Sequence, residues 1–231
     1  MAESGAGFIL DELDAQIAAR SILDHPFYRA WSAGSLSRQD LATYARVYYP
    51  HVAAFPGYLE AAAERAELPA VRAELLDNLR EERTVPGPHA KLWLDFAEAV
   101  GADPAEVSAA QPTAGAGRTV DEFRRLCGTS AAAALAALYA YESQQPEVAC
   151  RKAAGLREHY GVAEPRALSY FTVHAKADER HRAGERRALA LCLEAEPCAE
   201  EVQAAAQAAL GAYWSLLDAV TEEIASPAVA S

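Results

Sequence analysis

The sequence lacks the features of membrane and exported proteins. A transmembrane helix needs about 20 consecutive apolar residues, and no uninterrupted apolar stretch approaches that length. The first residues, MAESGAGFILDELDAQ, are acidic and do not show the basic-then-apolar order of a signal peptide. We therefore expect a cytoplasmic protein that has no membrane partner.

Basic residues and cysteine motifs are also scarce. The chain has 21 Lys and Arg against 33 Asp and Glu, which gives a formal net charge of −12. Nucleic-acid binding needs basic surface that displaces counterions from phosphate, so we expect no nucleic-acid partner. The cysteines form no CxxC motif, and we interpret them as reduced thiols that lie mostly in the core: Cys127, Cys150, Cys192 and Cys198.

Strand-like patterns are absent, whereas residues that favour helices are abundant. No segment alternates apolar and polar residues, and Ala, Leu, Glu and Arg are frequent throughout. The sequence predicts an all-α chain. Its predicted helices lie near residues 9–22, 38–64, 69–84, 89–100, 131–158, 165–193 and 199–225.

The ends of several helices are marked by single residues. Ser37 is predicted to cap a helix, with Asp40 three residues later in a capping box. Gly101 and Gly161 are predicted to end helices. The stretch PTAGAGRT at 112–119 is predicted to be the longest flexible connection. We expect one domain over 1–231, with short flexible termini at about 1–8 and 226–231.

One predicted helix carries a group of metal-ligand residue types. Offsets of four and seven place His174, Asp178 and His181 on the same helical face. Two imidazoles and a carboxylate suit a metal ion of intermediate softness, such as iron, manganese or zinc. The alternative is a solvated polar face, because the same segment also carries Lys176 and Arg180.

A second candidate is Glu142, which follows the apolar run AAAALAALYAY. Helical spacing backward from Glu142 meets Leu138 and Leu135, so its carboxylate is predicted to face the core. A buried carboxylate is costly unless it is paired or binds a metal ion. A salt bridge to an arginine is the structural alternative.

The third candidate is the pair Glu82 and His89. The segment PGP at 86–88 prevents one continuous helix from carrying both residues. They can still converge if Glu82 ends one helix and His89 begins the next. Glu81 is the competing carboxylate. Taken together, the three segments offer three carboxylates and three histidines, which is how dimetal sites are built inside helical bundles.

The pattern of candidate ligands resembles that of a known family. Glu-x6-His, then Glu, then His-x3-Asp-x2-His is the ligand pattern of the haem-oxygenase-like dimetal oxidases. Within them the chain is most similar to the family of the chlamydial protein associating with death domains. The segments that carry this similarity are HPFYRAW at 25–31, YYPHVAAFPGYL at 48–59, LLDNLREE at 75–82, HAKLWLDFA at 89–97, LAALYAYESQQPEVA at 135–149 and YFTVHAKADERH at 170–181.

The resemblance implies a fold, cofactors and an activity. The implied fold is a single-domain seven-helix bundle of the haem-oxygenase-like (TenA/PqqC-like) type, and homodimers are common among relatives. The implied cofactors are two transition-metal ions, Fe/Fe or Fe/Mn, with dioxygen as co-substrate and a reductant. The implied metal ligands are Glu82, His89, Glu142, His174, Asp178 and His181.

The implied activity is the synthesis of para-aminobenzoate for folate from a tyrosine of the protein itself. Carried over residue by residue, the sacrificed tyrosine is Tyr28 in HPFY, and the amino donor is Lys152 in the K-x-x-G-L context. The residues implied to relay electrons or to hydrogen-bond the oxidant are Tyr44, Tyr141 and Tyr170. From the sequence alone, Tyr28 is otherwise a packing aromatic, and Lys152 is otherwise a solvated surface residue.

Two departures and two alternatives accompany this resemblance. The segment RTVPGP at 83–88 differs from the acidic, Gly/Asn-containing segment of relatives, and Cys150-Arg151 before the lysine is also unusual.

One alternative is a multiple-turnover oxygenase or oxidase that acts on a small amino acid or fatty acid, for which Arg46, Arg83 and Arg180 are candidate carboxylate clamps. The other is a non-enzymatic adaptor that binds a protein partner through its acidic helical surface.

Overall fold

The computed structural model describes residues 5–84 and 86–226, and these ranges contain helices and no strand. A short 3-10 helix, Ile22–Asp24, lies between the first two α-helices. In chain order the α-helices are α1 Gly5–Ala19, α2 Pro26–Ser32, α3 Arg38–Arg65, α4 Pro69–Thr84, α5 His89–Ala99, α6 Pro104–Ala109, α7 Ala114–Cys127, α8 Ala131–Glu142, α9 Gln145–Glu158, α10 Pro165–Ala195 and α11 Ala199–Ala225. The all-α prediction is confirmed.

The helix predicted over 131–158 is two helices, α8 and α9. Pro146 lies in the first turn of α9, and a proline ring collides with the carbonyl group four residues earlier in a continuous helix. That earlier residue is Glu142, where α8 ends. The proline therefore places Glu142 at a helix end, next to the helices that pack beside it.

The stretch 112–119, predicted to be a flexible connection, is instead mostly helical. The side chain of Thr113 accepts a hydrogen bond from the backbone of Ala116 and caps α7. Gly115 lies so close to α11 that an added Cβ would stand 2.4 Å from the Cβ of Ala219. The glycine therefore serves close helix packing rather than flexibility, which the local composition did not indicate.

Other boundaries agree with the sequence or differ in detail. The Ser37–Asp40 capping box is present, and Gly101 and Gly161 follow helices with φ of 96° and 66°. Helix α1 begins at Gly5, inside the terminal segment expected to be flexible. Residues 1–4 and 227–231, which belong to the predicted flexible termini, lie outside the described residues.

The core is organised around α8, whose residues 132–142 are all buried. A helix that is apolar all round is enclosed by its neighbours, and α8 packs against α11, α10 and α7. Helix α10 also packs against α4 and α5. The polar end of α8 therefore lies beside α10 and α4 inside the bundle. Within 5–84 and 86–226, no helix combines the length and apolarity needed to cross a membrane.

Candidate metal centre

Glu82, His89 and His174 form one compact group of buried side chains. Glu82 lies in the last turn of α4, and His89 is the first residue of α5. One oxygen of Glu82 lies 2.7 Å from Nδ1 of His89 and 3.6 Å from Nε2 of His174. The turn that contains Pro86 and Pro88 thus brings the pair together across a helix break, as the sequence predicted.

Glu142, Asp178 and His181 form a second buried group. Nδ1 of His181 lies 3.3 Å from a carboxylate oxygen of Asp178 and 3.4 Å from one of Glu142. In each of the two groups the three potential ligand atoms lie within 4.8 Å of one another. The structure therefore brings together all six side chains that the sequence suggested as ligands, in two triads.

Both triads face one small cavity. Its volume is about 10 Å³, which is the space of a single water-sized molecule. Its lining combines ligand candidates from both triads with aromatic and aliphatic side chains: Val52, Phe55, Glu82, Tyr141, Glu142, Tyr170, His174 and Asp178. The two triads are therefore parts of one site rather than two separate ones.

Hydrogen bonds outside the triads orient two of the histidines. Nδ1 of His174 lies 2.7 Å from the backbone oxygen of Tyr170, so its Nε2 points toward Glu82. Nε2 of His181 lies 3.2 Å from Glu81, which also accepts a 2.7 Å hydrogen bond from Arg180. Such outer partners fix the orientation of a ligating imidazole. The carboxylate that competed with Glu82 in the sequence thus lies behind a histidine, outside the triad.

Glu142 has a dedicated partner that sequence reasoning missed. The side-chain amide of Asn78 donates to both carboxylate oxygens of Glu142, at 3.2 and 3.0 Å. Asn78 is buried and lies one turn before Glu82 on α4. This i, i+4 spacing from a predicted ligand is the signal that points to Asn78 in the sequence.

The charges of the first triad stabilise one another. Burial raises the pKa of Glu82, but its hydrogen bonds with His174 and His89 outweigh burial and lower the pKa to about 2. Burial lowers the pKa of His174, but Asp178 and Glu82 outweigh it and raise the pKa to about 9. A carboxylate beside the imidazolium of His174 keeps its charge in this way.

The second triad carries an excess of carboxyl groups. Burial raises the pKa of Asp178 to about 6, although His174 acts in the opposite direction. Burial lowers the pKa of His181, but Asp178 and Glu142 raise it to about 11. A further buried carboxyl, Glu185, has a pKa well above its usual value through burial and the charge of Glu142. Sequence reasoning missed Glu185.

The donor atoms at this site fit metal ions. Among the described residues, no hydrogen-bond partner is present for either carboxylate oxygen of Asp178, for Nδ1 of His181 or for either oxygen of Glu185. Buried polar atoms without partners are costly and rare, and a metal ion is one way to satisfy them. Imidazole nitrogens and carboxylate oxygens are suitable ligands for iron and manganese. The residues therefore fit two such ions.

Lys152 lies in the core rather than on the surface. Its side chain is 2% exposed, and its amine donates a 2.5 Å hydrogen bond to the hydroxyl of Tyr44. The amine also lies 5.0 Å from the centre of the Tyr28 ring. Burial lowers the pKa of Lys152 well below its usual value.

Tyr28 is buried beside two other phenols. Its side chain is 2% exposed, and burial, together with nearby Tyr213 and Tyr44, raises the pKa of its hydroxyl well above 10.0. The Tyr28 hydroxyl has no hydrogen-bond partner in the described residues. Tyr213, held by Gln145 at 3.0 Å, was not singled out in the sequence.

Aromatic rings form a continuous row from the first triad to the lysine. Ring centres of His174 and Tyr170 are 4.0 Å apart, those of Tyr170 and Trp93 are 4.8 Å apart, and those of Trp93 and Tyr44 are 5.4 Å apart. The amine of Lys152 then lies 5.1 Å from the centre of the Tyr44 ring. Trp93 joins Tyr170 to Tyr44 and was not predicted.

A second set of phenols adjoins Glu142. The hydroxyls of Tyr141 and Tyr48 are 2.9 Å apart. The ring of Tyr141 lies 4.7 Å from that of Tyr213, which in turn neighbours Tyr28. All three predicted relay tyrosines, Tyr44, Tyr141 and Tyr170, thus lie between the triads and the pair formed by Tyr28 and Lys152.

The glycine of the K-x-x-G-L segment has a packing role. A Cβ added at Gly155 would stand 2.8 Å from Nε1 of Trp31, and Trp31 donates a hydrogen bond to the backbone oxygen of Lys152. The glycine therefore allows α9 to lie close against α2. Because α2 carries Tyr28, this contact sets Lys152 beside the tyrosine.

The three arginines suggested as substrate clamps are already paired with carboxylates. The pairs are Arg46 with Glu223, Arg83 with Glu60, and Arg180 with Glu81. None of them lines the cavity between the triads. The structure therefore does not support a carboxylate clamp for an external substrate at these positions.

Comparison with known proteins agrees with the geometry. Residues 42–214 match a haem-oxygenase-like family model described as iron-containing redox enzymes. The match covers most of the chain, and the chain therefore belongs to this family of iron-containing redox enzymes. Its helical bundle and its buried His and carboxylate groups are consistent with that class.

Two curated relatives that cover most of the chain are 4-aminobenzoate synthases. The chain is 41% identical over 212 residues to the 4-aminobenzoate synthase of Chlamydia trachomatis, covering 90% of this chain and 92% of the relative. It is 36% identical over 221 residues to the 4-aminobenzoate synthase of Nitrosomonas europaea, with 91% and 90% covered. The resemblance found in the sequence is confirmed.

Solved structures share the fold at low sequence identity. A TenA homologue from Pseudomonas syringae superposes with a TM-score of 0.80 at 18% identity, covering 94% of this chain and 93% of the other. A CADD-like protein of unknown function from Nostoc punctiforme gives 0.79 at 21%, covering 96% and 99%. These similarities confirm the predicted haem-oxygenase-like, TenA-type fold.

Proposed function

We propose that this protein makes 4-aminobenzoate by consuming its own Tyr28, with dioxygen and a reductant as co-reactants and Lys152 as the nitrogen donor. The observation that carries this proposal is the position of the Lys152 amine, 5.0 Å from the centre of the Tyr28 ring. Both side chains are enclosed in the core. The names of the curated relatives support the same product.

The chemistry of a tyrosine ring suits this product. Tyrosine carries a carbon substituent and an oxygen para to each other, and 4-aminobenzoate carries a carboxyl carbon and a nitrogen in the same relationship. The conversion forms a bond from the ring to nitrogen while the phenol oxygen leaves as water, and it breaks the bond between Cε and Nζ of Lys152. It also cleaves the Cα–Cβ bond of Tyr28 and oxidises Cβ to the carboxyl group, with dioxygen as the oxidant. The ring itself stays intact, so one buried tyrosine can supply the carbon skeleton.

The environment of Lys152 prepares its amine for transfer. Burial lowers the pKa of Lys152, and a neutral amine has the free electron pair that bond formation to carbon requires. The hydrogen bond to Tyr44 fixes the position of the nitrogen. The surrounding rings exclude water, which would otherwise compete for the oxidised ring.

The six residues of the triads would hold the metal ions. Glu82, His89 and His174 would bind one ion, and Glu142, Asp178 and His181 the other. When bound, two iron ions or an iron–manganese pair supply the electrons and the affinity for oxygen that dioxygen activation needs. Tyr170, Tyr141 and Tyr44 occupy the space between this site and Tyr28, where their rings and hydroxyls can pass electrons and protons.

The size of the cavity favours an internal substrate. The space between the triads is about 10 Å³, which is the room of a single water-sized molecule. A small amino acid or a fatty acid would not fit without rearrangement of the surrounding rings. The small cavity favours consumption of the protein's own tyrosine over a multiple-turnover oxidase with an external substrate. Membership of a redox enzyme family favours an enzyme over a non-enzymatic adaptor.

Mass spectrometry of the reacted protein tests the proposal. Protein grown with ring-labelled tyrosine is loaded with iron, or with iron and manganese, and then given reductant and oxygen. We expect labelled 4-aminobenzoate at no more than one equivalent per chain, with loss of side-chain mass at Tyr28. Tyr28→Phe should make none, whereas Tyr49→Phe, which alters a partly exposed tyrosine outside the cluster, should match the unaltered protein.

Lysine labelled with ¹⁵N tests the source of nitrogen separately. We expect the label in the product and a mass change at Lys152. Full aminobenzoate yield from Tyr28→Phe would overturn the tyrosine source. Unlabelled product from ¹⁵N-lysine protein would overturn the role of Lys152 alone. Oxygen consumption far beyond one equivalent per chain, with an added amino acid or fatty acid, would instead support a multiple-turnover oxidase.

A further inference from the structure

Glu185 extends the ligand face of α10 by one more turn. His174, Asp178, His181 and Glu185 are separated by four, three and four residues, which keeps them on one side of the helix. The side chain of Glu185 is 2% exposed. It therefore lies at the end of a row in which every other member belongs to a triad.

The carboxyl group of Glu185 has no partner that explains its burial. Neither of its oxygens has a hydrogen-bond partner among the described residues, and no ion pair in that part of the chain includes it. The charged groups that act on it most strongly are themselves carboxylates, Glu142, Asp178 and Glu74, and Glu142 lies within its hydrogen-bonding reach. A structural carboxylate would normally be paired or hydrogen-bonded. Glu185 is arranged for a cation that the protein side chains do not provide.

A count of buried charges gives the same result. Four carboxyl groups are buried at this site: Glu82, Glu142, Asp178 and Glu185. With neutral imidazole ligands, two divalent metal ions would balance four carboxylates, whereas the six residues of the triads supply only three. The fourth carboxyl group, Glu185, lies on the side of the second triad, next to Glu142.

We propose that Glu185 is a further carboxylate ligand of the second metal position, together with Glu142, Asp178 and His181. This inference rests on the proposed dimetal site and assigns a seventh protein residue to it. Glu185 would supply an additional oxygen ligand and the charge that retains the second ion. The first position, formed by Glu82, His89 and His174, would not depend on it.

Manganese titration of the metal-free protein tests this assignment without any turnover. Calorimetry and manganese EPR are applied to the unaltered protein, to Glu185→Gln and to Glu194→Gln, a control that removes an exposed carboxylate from the same helix. We expect two manganese ions in the unaltered protein and in the control. In Glu185→Gln the second ion should bind about tenfold more weakly or worse, and the first should bind as before.

The EPR signal and the thermal stability separate a ligand from a structural residue. Loss of the second ion should convert the spin-coupled signal of a manganese pair into that of an isolated ion. The metal-free melting temperature of Glu185→Gln should be unchanged or higher, because the substitution removes a carboxyl group crowded by others. Unaltered first-ion binding shows that the variant is folded.

Three outcomes are informative. A second ion that binds Glu185→Gln as tightly as the unaltered protein would overturn the role of Glu185. Equal weakening of both ions would also overturn it, since that result indicates a general structural role. Unaltered protein that binds fewer than two ions would instead contradict the dimetal site itself.

Discussion

The amine of Lys152 lies 5.0 Å from the centre of the Tyr28 ring, in a position where the lysine side chain is 2% exposed. The two residues are separated by more than half of the sequence. They meet because α9 lies close against α2, at the contact between Gly155 and Trp31. Burial at this position disfavours the ammonium form of the lysine.

The stability cost of Lys152 should therefore depend on pH. The pKa of Lys152 is lowered in the folded protein, so the unfolded chain binds its proton more tightly. The free energy of unfolding therefore rises with pH, and the contribution of Lys152 to this rise ends near the pKa of the unfolded lysine, about 10.4. Lys152→Met should be more stable than the unaltered protein at pH 7. The gain should shrink by about 1.4 kcal/mol per pH unit while the lysine is neutral only in the folded state.

Urea unfolding of the metal-free protein between pH 6 and 10 measures this difference. Lys176→Met, which alters an exposed lysine, is the control and should show no comparable slope. A constant difference between Lys152→Met and the unaltered protein over this range would mean that the folded-state pKa is not lowered.

His51 should make the protein sensitive to acid. Its ring is packed between aromatic residues, with centroids 4.9 Å from both Phe123 and Tyr141, and burial lowers its pKa to about 3. The unfolded histidine takes up a proton near pH 6.5, so stability falls as pH decreases from 6.5 to about 3. At pH 4 the loss from this group is about 3 kcal/mol.

Replacement by phenylalanine isolates this effect. His51→Phe should unfold at a lower pH than the unaltered protein and should lose the part of the pH dependence between about 3 and 6.5, as circular dichroism can follow. His159→Gln, which alters an exposed histidine, is the control. An identical acid transition in His51→Phe and the unaltered protein would contradict the low pKa.

Asn78 should influence metal binding without being a ligand. Its amide donates to both oxygens of Glu142 and so fixes the orientation of that carboxylate. Asn78→Leu keeps the approximate volume but removes both hydrogen bonds. We expect manganese affinity at the second position to fall about 10- to 100-fold, the usual effect of losing an outer partner of a metal ligand.

Calorimetric titration with manganese measures the effect of Asn78→Leu. The neighbouring exposed residue provides a control, since Asp77→Asn alters a charge on the same helix outside the site. Unchanged affinity in Asn78→Leu would show that Glu142 is oriented without the amide.

Gly115 in the first turn of α7 and Gly211 within α11 should respond in opposite ways to alanine. Gly115→Ala would place a Cβ 2.4 Å from that of Ala219, so α7 and α11 must separate. Overpacking of this kind outweighs the gain in helix propensity, and we expect a net loss of about 1 to 2 kcal/mol. Gly211→Ala meets nothing within 4 Å and should stabilise the protein by up to about 1 kcal/mol.

Chemical unfolding of both glycine variants gives the comparison directly. Each serves as the control for the other, because both are glycine-to-alanine changes inside α-helices. Equal effects of the two substitutions would mean that the close contact at Gly115 relaxes without cost.

The sequence by itself determined the class of fold and most of the ligand set. The spacing of His174, Asp178 and His181 is a local property of one helix, so periodicity alone places them on one face. Glu142 was recognisable because a carboxylate at the end of an apolar helix needs a partner. Sequence segments shared with a known family identified Tyr28 and Lys152 as candidates, whereas helical periodicity could not identify them.

Only the tertiary structure decided which groups meet across helices. It placed Glu82 rather than Glu81 in the first triad, it buried Lys152 among aromatic rings, and it converted the segment at 112–119 into a packed helix. It also brought in Asn78 and Glu185, whose local sequence resembles an ordinary polar helix surface. Such contacts depend on how closely helices approach and on which face turns inward, and these are set by packing of the whole bundle rather than by neighbours in the chain.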